Sequence, residues 1–314
     1  MPCESFSAQN YKLERTLSAT VSALSQLLSG EKRLGVALGG GTARAYAHVG
    51  ALSVLEEVRT PDVLAGTSYG ALIAALYALE PDANEISRWA SAQNMVRWWS
   101  RNLDPGLHRA SLVAGKRIER WLDDLFCGAT FSDTAIPLLI ACTDVDTGEL
   151  VLLREGSLAR AVRASCALPG LYAVPEVAGR RLIDGGFVMP VPAAPLLSTS
   201  EVVVGLHAGI EVAQARSVRL LKRWHDSSLG RTLHAKALSS TRRTSRSALR
   251  KGLAHAAASY SRAAALPSEC LLVKEAPPIA WWDFHKSDLA VAAGERAMRE
   301  ALPELRGRLE GKLV

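Results

Sequence analysis

Val63-Leu64-Ala65-Gly66-Thr67-Ser68-Tyr69-Gly70-Ala71 decides the fold of this chain. Within it an apolar run gives way to a Gly-x-Ser-x-Gly turn and then to a long helical pattern, Ala71 to Leu79. A strand, a sharp turn and a helix in that order present a serine hydroxyl at the edge of a sheet, so Ser68 is the candidate nucleophile. The flanking Gly66 and Gly70 have a steric reason, since a side chain two residues to either side would collide with the strand or helix. The N-terminus of the following helix points at Ser68, where unpaired amides and the macrodipole favour developing negative charge.

Upstream, Arg33 to Leu38 reads as a strand feeding Gly39-Gly40-Gly41-Thr42-Ala43-Arg44 and a helical pattern from Ala45 through Val58. A glycine run after a strand gathers backbone amides into one concavity, which suits an oxyanion hole or a phosphate cradle. No Gly-Lys-Ser/Thr follows, and Arg44 stands where the last glycine of a dinucleotide fingerprint belongs, so both nucleotide readings fail. Downstream, Leu182-Ile183-Asp184-Gly185-Gly186 is an apolar strand ending in an aspartate and two glycines, ordinary turn chemistry alone but a candidate base beside Ser68. The seven histidines are His48, His108, His207, His225, His234, His255 and His285. By chain order His207 or His285 could complete a serine, acid, histidine triad. Only one strand and one helix precede the turn, however, which favours a two-residue site.

Four blocks carry a resemblance: Gly35 to Gly50, Gly66 to Ala71, Ala164-Ser-Cys-Ala-Leu-Pro-Gly-Leu-Tyr172, and Ile183 to Gly186. In this order and spacing, over about residues 33 to 205, the chain resembles the patatin-like phospholipase family, bacterial type. The resemblance implies an α/β three-layer sandwich with a mostly parallel central sheet flanked by helices. It also implies a serine acyl hydrolase acting on lipid esters with a Ser68-Asp184 dyad, and no cofactor or metal. The oxyanion hole it implies draws on Gly39, Gly40, Gly41, Thr42 and Arg44 with the amide of Tyr69, and Gly66, Gly70, Gly185 and Gly186 are the motif glycines. Two positions depart from the family pattern, Thr42 and Ala45, where glycines are usual. A positive φ at Thr42 would be strained, and a weakly active lipid-binding protein on the same fold is the alternative reading, with acyl transfer to another alcohol a third.

The rest of the chain fits that frame. Strands are expected at residues 34 to 38, 62 to 65, 136 to 142, 149 to 153, 181 to 183, 201 to 206 and 269 to 273, alternating with helices. The domain reading is an amphipathic helix at 1–30 and a catalytic domain at 31–314, composed of a core (about 33–205), a basic helical segment (about 211–265) and a C-terminal strand with helices (about 269–314). Residues 81 to 130, with Trp89, Trp98, Trp99, Trp121 and Phe126, read as a helical cap over an acyl pocket. Trp281 and Trp282 are open between a pocket mouth, a lipid interface and core packing. Between Gln214 and Lys251 eleven lysines and arginines stand against Asp226 alone, in a chain of net charge +6. That suits either peripheral contact with an anionic membrane or a solvated helical arm, and without interleaved aromatics it does not suggest nucleic acid. The odd, scattered Cys3, Cys127, Cys142, Cys166 and Cys270 suggest reduced thiols without zinc or disulfide framework, with Cys166 read as a packing residue. The Asp123/Asp124 and Asp144/Asp146 pairs are read as helix face and turn. With neither signal peptide nor membrane-length apolar run, the expected location is cytoplasmic, with a peripheral position at the inner membrane face as the alternative.

Overall fold

A computed structural model of the protein describes residues 31–93, 95–104, 111, 113–169, 171–209 and 267–312. The expected amphipathic helix at 1–30 and the basic segment at about 211–265 lie outside these residues. The described strands are β1 (Leu34–Leu38), β2 (Val63–Thr67), β3 (Leu138–Asp144), β4 (Leu150–Leu153), β5 (Glu176–Val177), β6 (Arg180–Asp184), β7 (Val202–His207) and β8 (Leu271–Lys274). The helices are α1 (Ala47–Glu56), α2 (Tyr69–Leu79), α3 (Ala83–Ser91), α4 (Met95–Asn102), α5 (Lys116–Leu125), α6 (Leu158–Ser165) and α7 (Ser287–Leu309). Each expected strand is present within one to three residues. The two-residue β5 was not anticipated, being too short to leave a periodic signal.

Sheet order is β5-β6-β3-β2-β1-β7-β8, with β4 also paired to β3. The central pairings β1 with β2 and β7, β2 with β3, and β7 with β8 are parallel, whereas β4 and β6 run antiparallel to β3 and β5 to β6. Apolar runs without alternation are what parallel strands covered on both faces require, and every residue of β1 and β2 is buried. On one face lies the main core, with α1, α2 and α6 contributing to it. Residues Tyr69–Leu79 are apolar almost throughout because α2 is buried on nearly all sides, Gly70 to Leu79 without exception. The second face packs a smaller cluster built from Ala37, Ala65, Val191, Leu196 and Val203. Among the described residues that layer is supplied by the 3-10 turn Ala194–Ser198 rather than an α-helix.

The register of β3 positions the site. Its residues Leu138 to Ala141 pair with Leu64 to Thr67 of β2, and its Cys142 to Asp144 pair with Asp184 to Leu182 of β6. Strand β4 pairs Ile140 to Thr143, and a strand residue can be bridged on two sides only. β2 and β6 therefore follow one another along the same edge of β3. The residue after β2 and the last residue of β6 are thus brought together, and these are Ser68 and Asp184.

Candidate active site

Ser68 occupies a backbone conformation of φ 55° and ψ −128°, a region that non-glycine residues rarely adopt and that clusters at functional sites. The surroundings enforce it. A Cβ on Gly66 would run into the Ala71 backbone, and one on Gly70 into the carbonyls of Gly39 and Leu38, so the glycines of the pentapeptide are there for close approach. The Ser68 amide donates to Ser165 Oγ (2.8 Å), and that hydroxyl donates in turn to the Ala141 carbonyl (2.7 Å). Thr67 Oγ1 ties the end of β2 to the Met189 carbonyl at 2.9 Å.

Ser68 Oγ donates directly to Asp184 Oδ2 at 2.6 Å, and the other carboxylate oxygen accepts from the Gly186 amide at 2.7 Å. Asp184 is 4% exposed. Burial pushes its carboxyl up to about 6, against the lowering effect of the hydrogen bonds from Ser68 and Gly186. That is the direction a general base needs, since an ordinary carboxylate is too weak a base for a hydroxyl. Gly185 is held against β3, where a Cβ would meet the Ala141 carbonyl. Among the described residues, the hydrogen bonds of Ser68 and Asp184 involve no histidine. His207 Nδ1 accepts from the Gly209 amide (3.1 Å), and His285 lies in the turn Phe284–Lys286.

The glycine loop is fastened on several sides. Gly39 N–H donates to the Leu206 carbonyl (3.0 Å), Gly40 N–H to the Pro190 carbonyl (3.1 Å) and Arg44 N–H to the Gly41 carbonyl (3.1 Å). The Arg44 guanidinium reaches the carbonyls of Ile279 (2.8 Å) and Gly209 (2.9 Å). Of the amides that the resemblance implies for an oxyanion hole, those of Gly39, Gly40 and Arg44 are engaged in holding the loop, while those of Gly41, Thr42 and Tyr69 make no hydrogen bond within the described chain. Thr42 does take a left-handed backbone, φ 51°. Its hydroxyl compensates by donating to the Trp281 carbonyl at 2.6 Å.

Two contributors were not singled out from sequence. Ser165 lay inside a quoted block without a role. His48 lies behind the loop, with Nε2 2.7 Å from the Gly39 carbonyl and Nδ1 2.6 Å from Glu275 Oε2, both side chains fully buried. Burial opposes charge on His48, but the Glu275 carboxylate outweighs it and holds the imidazole above its ordinary range. A carbonyl only accepts, so Nε2 carries a proton, and the pair clamps Gly39 to the end of β8. Neither role is visible in local sequence, because the partners come from other strands.

Cys166 lies beside Ser68 and Asp184. Burial first, and the nearby Asp184 carboxylate second, raise its thiol well above the ordinary range, which makes it a poor thiolate nucleophile. Cys142, Cys166 and Cys270 are free. Cys127 is disulfide-bonded, against the expectation of reduced thiols. Asp144 Oδ1 accepts from the Asp146 amide at 2.9 Å, and Asp146 pairs with Arg181, as a structured turn would. Trp98 and Trp121 join α4 to α5 edge to face, with ring centroids 5.2 Å apart. Among the described residues no group of three or more His, Cys, Asp or Glu side chains could hold a metal ion, and no helix is long and apolar enough to cross a membrane.

Ser165→Ala is expected to lower kcat about 10- to 100-fold with KM nearly unchanged, because it frees the Ser68 amide and displaces a catalytic geometry that tolerates little error. It should also cost stability by about 1–3 kcal/mol through a buried amide and carbonyl left unpaired. Steady-state kinetics and a denaturant titration read the two separately, and a loss of stability with unchanged kcat would reduce Ser165 to a structural residue.

The sequence model of the patatin-like phospholipase family matches residues 36–197. An uncharacterized NTE family protein of Mycobacterium tuberculosis is 34% identical over 187 residues, covering 59% of this chain and 49% of that protein. A patatin-like phospholipase domain-containing protein of Caenorhabditis elegans is 36% identical over 178 residues, 55% of this chain and 13% of that protein. Neuropathy target esterase of Drosophila melanogaster is 32% identical over 186 residues, 57% of this chain and 13% of that protein. The aligned part thus spans about half the length of the mycobacterial relatives and a smaller share of the animal ones. Among solved structures, VipD from Legionella pneumophila is similar with a TM-score of 0.46 and 16% identity, over 87% of this chain and 67% of that chain.

Proposed function

Because this chain belongs to the patatin-like phospholipase family, we propose that it is a serine acyl hydrolase cleaving lipid carboxylic esters through Ser68 and Asp184. The observation that carries the proposal is the 2.6 Å hydrogen bond from Ser68 Oγ to the buried Asp184 Oδ2. Asp184 takes the hydroxyl proton as Oγ attacks the ester carbonyl carbon, giving a tetrahedral oxyanion. The amides of Gly41, Thr42 and Tyr69 receive that charge. Collapse of the intermediate breaks the bond to the alkoxy oxygen, which leaves with the proton returned by Asp184. Water, deprotonated by the same carboxylate, then attacks the acyl-enzyme and regenerates Ser68.

The loop supports this reading because its donors are fixed before substrate arrives, so little reorganisation is needed when charge develops. The strain of Thr42 is offset by its tether to Trp281, which favours an active hole over a defunct one. The test is turnover of p-nitrophenyl esters and of a lysophospholipid, together with labelling by a fluorophosphonate and mapping of the modified peptide. Adduct at Ser68 with turnover is the expected result. A folded chain with neither leaves lipid binding as the reading, and product esters formed in the presence of added alcohols would establish transfer.

The raised carboxyl fixes the pH dependence. Asp184 must be ionised to act, so kcat/KM for a neutral ester is expected to fall about tenfold per pH unit below about 6 and to level off above it. A profile whose acid limb lay near the ordinary carboxylate value would contradict the burial of the working base.

A further inference from the structure

We propose that the turn from Ile279 to Lys286 is a lipid-surface anchor that braces the oxyanion side of the site, with Trp281 and Trp282 seated in the interface of an anionic bilayer. The proposal rests on the acyl hydrolase reading for its purpose, though not for its geometry. Trp281 and Trp282 are 43% and 61% exposed, which excludes the core-packing reading, and their rings meet edge to face with centroids 5.1 Å apart. Indoles pair an apolar body with one N–H donor and are favoured where hydrocarbon meets water. These two are held out by a braced turn. Asp283 N–H donates to the Ala280 carbonyl (3.1 Å), and Lys286 N–H to the Asp283 carbonyl (2.9 Å). The Asp283 carboxylate takes both the Ala280 amide (3.2 Å) and Lys286 Nζ (2.8 Å).

The same turn touches both halves of the proposed oxyanion hole. The Trp281 carbonyl accepts from Thr42 Oγ1 (2.6 Å) and from the Ala43 amide (3.1 Å), and the Ile279 carbonyl accepts from Arg44 Nε (2.8 Å). Phe284 packs on Tyr69, the residue after Ser68, at 5.4 Å between centroids, and on Tyr46 at 6.2 Å. Whatever holds the indoles in place therefore steadies the backbone of Thr42 and the ring of Tyr69 together.

Charge selects the occupant. Gly209 and Ile279 share the Arg44 guanidinium through their carbonyls, at 2.9 and 2.8 Å, so Gly209 stands beside this turn, and the sequence after it is cationic. Residues 210–266 carry twelve lysines and arginines against Glu211 and Asp226. Two exposed indoles next to the root of so cationic a stretch match an anionic lipid surface, where apolar insertion and electrostatic attraction add.

The experiment measures partition of the full-length Ser68→Ala chain, which leaves lipid uncleaved, into phosphatidylcholine vesicles with and without phosphatidylglycerol. It is repeated with Trp281→Ser and Trp282→Ser added. The expected result is binding that needs phosphatidylglycerol and weakens by about tenfold or more in the double substitution, with Trp281→Phe/Trp282→Phe recovering part of it. Unchanged partition without the indoles would overturn the anchor, as would absence of vesicle binding by the starting chain. A change in sedimentation behaviour in place of vesicle partition would also overturn it and assign the indoles to a contact between copies. Wild-type turnover of a soluble ester without vesicle binding refutes the anchor alone, whereas vesicle binding without soluble turnover refutes the hydrolase reading alone.

Discussion

Ser68→Ala is expected to lower ester turnover by about 10⁴-fold or more, to the background of the oxyanion loop and substrate binding. Fluorophosphonate labelling should be lost with it. The substitution removes the atom that forms the acyl bond and leaves the elbow in place, because an alanine at this strained φ and ψ costs no more than the serine does. It also removes the hydroxyl donor to Asp184, whose carboxyl should then rise beyond about 6, since that bond is one of the two that hold it down. Residual turnover within about tenfold of the wild type in a folded variant would mean that another nucleophile carries the reaction.

Asp184→Asn is expected to cost about 10³- to 10⁴-fold in kcat while leaving the protein no less stable at alkaline pH. The amide cannot take the Ser68 proton, though it still fits the space. The folded carboxyl, at about 6, lies above its ordinary 3.8. Its protonated form is therefore the one the fold favours, a contribution complete below 3.8 and lost as pH rises through 6. Above that, the ionised group costs about 3 kcal/mol relative to the unfolded chain. Thermal melts of both proteins across pH are expected to show the variant at or above the wild type near pH 8 and the gap narrowing towards acid. Turnover surviving in this variant and abolished on replacing His207 or His285 would restore the triad. A variant that melts well below the wild type at alkaline pH would show that the carboxylate is stabilised there by contacts beyond Ser68 and Gly186.

The elbow was readable because its chemistry is local: Gly66 and Gly70 are required by atoms within a few residues or by the neighbouring strand end, and the pentapeptide with its flanks declares both. The central strands were equally plain, since Leu34–Leu38 and Val202–His207 are unbroken apolar runs. Asp184 was readable only as a strand end followed by glycines, and its partnership with Ser68 depends on β2 and β6 sharing an edge of β3, a register that no local pattern encodes. The same holds for the proposed oxyanion donors. Gly39 and Gly40 look identical to Gly41 in sequence, but Leu206 and Pro190 claim the first two amides and leave the third. Ser165 and His48 escaped for this reason too, because a hydroxyl or an imidazole acquires its role from a carbonyl or carboxylate supplied by a distant strand. At Trp281 the sequence left three environments open, and the exposed ring removes core packing from them.

The edge of β3 shared by β2 and β6 also sets the order in which a growing polypeptide can become competent. When Ser68 leaves the ribosome, the strand that will align it does not yet exist, and the carboxylate it must meet is 116 residues behind. Strand β1, the middle of the sheet, waits longer still for Val202 to Leu206 to cover its open side. The proposed nucleophile is therefore made early and meets its partner late, so a nascent or truncated chain ending before residue 184 holds Ser68 without the carboxylate proposed as its base.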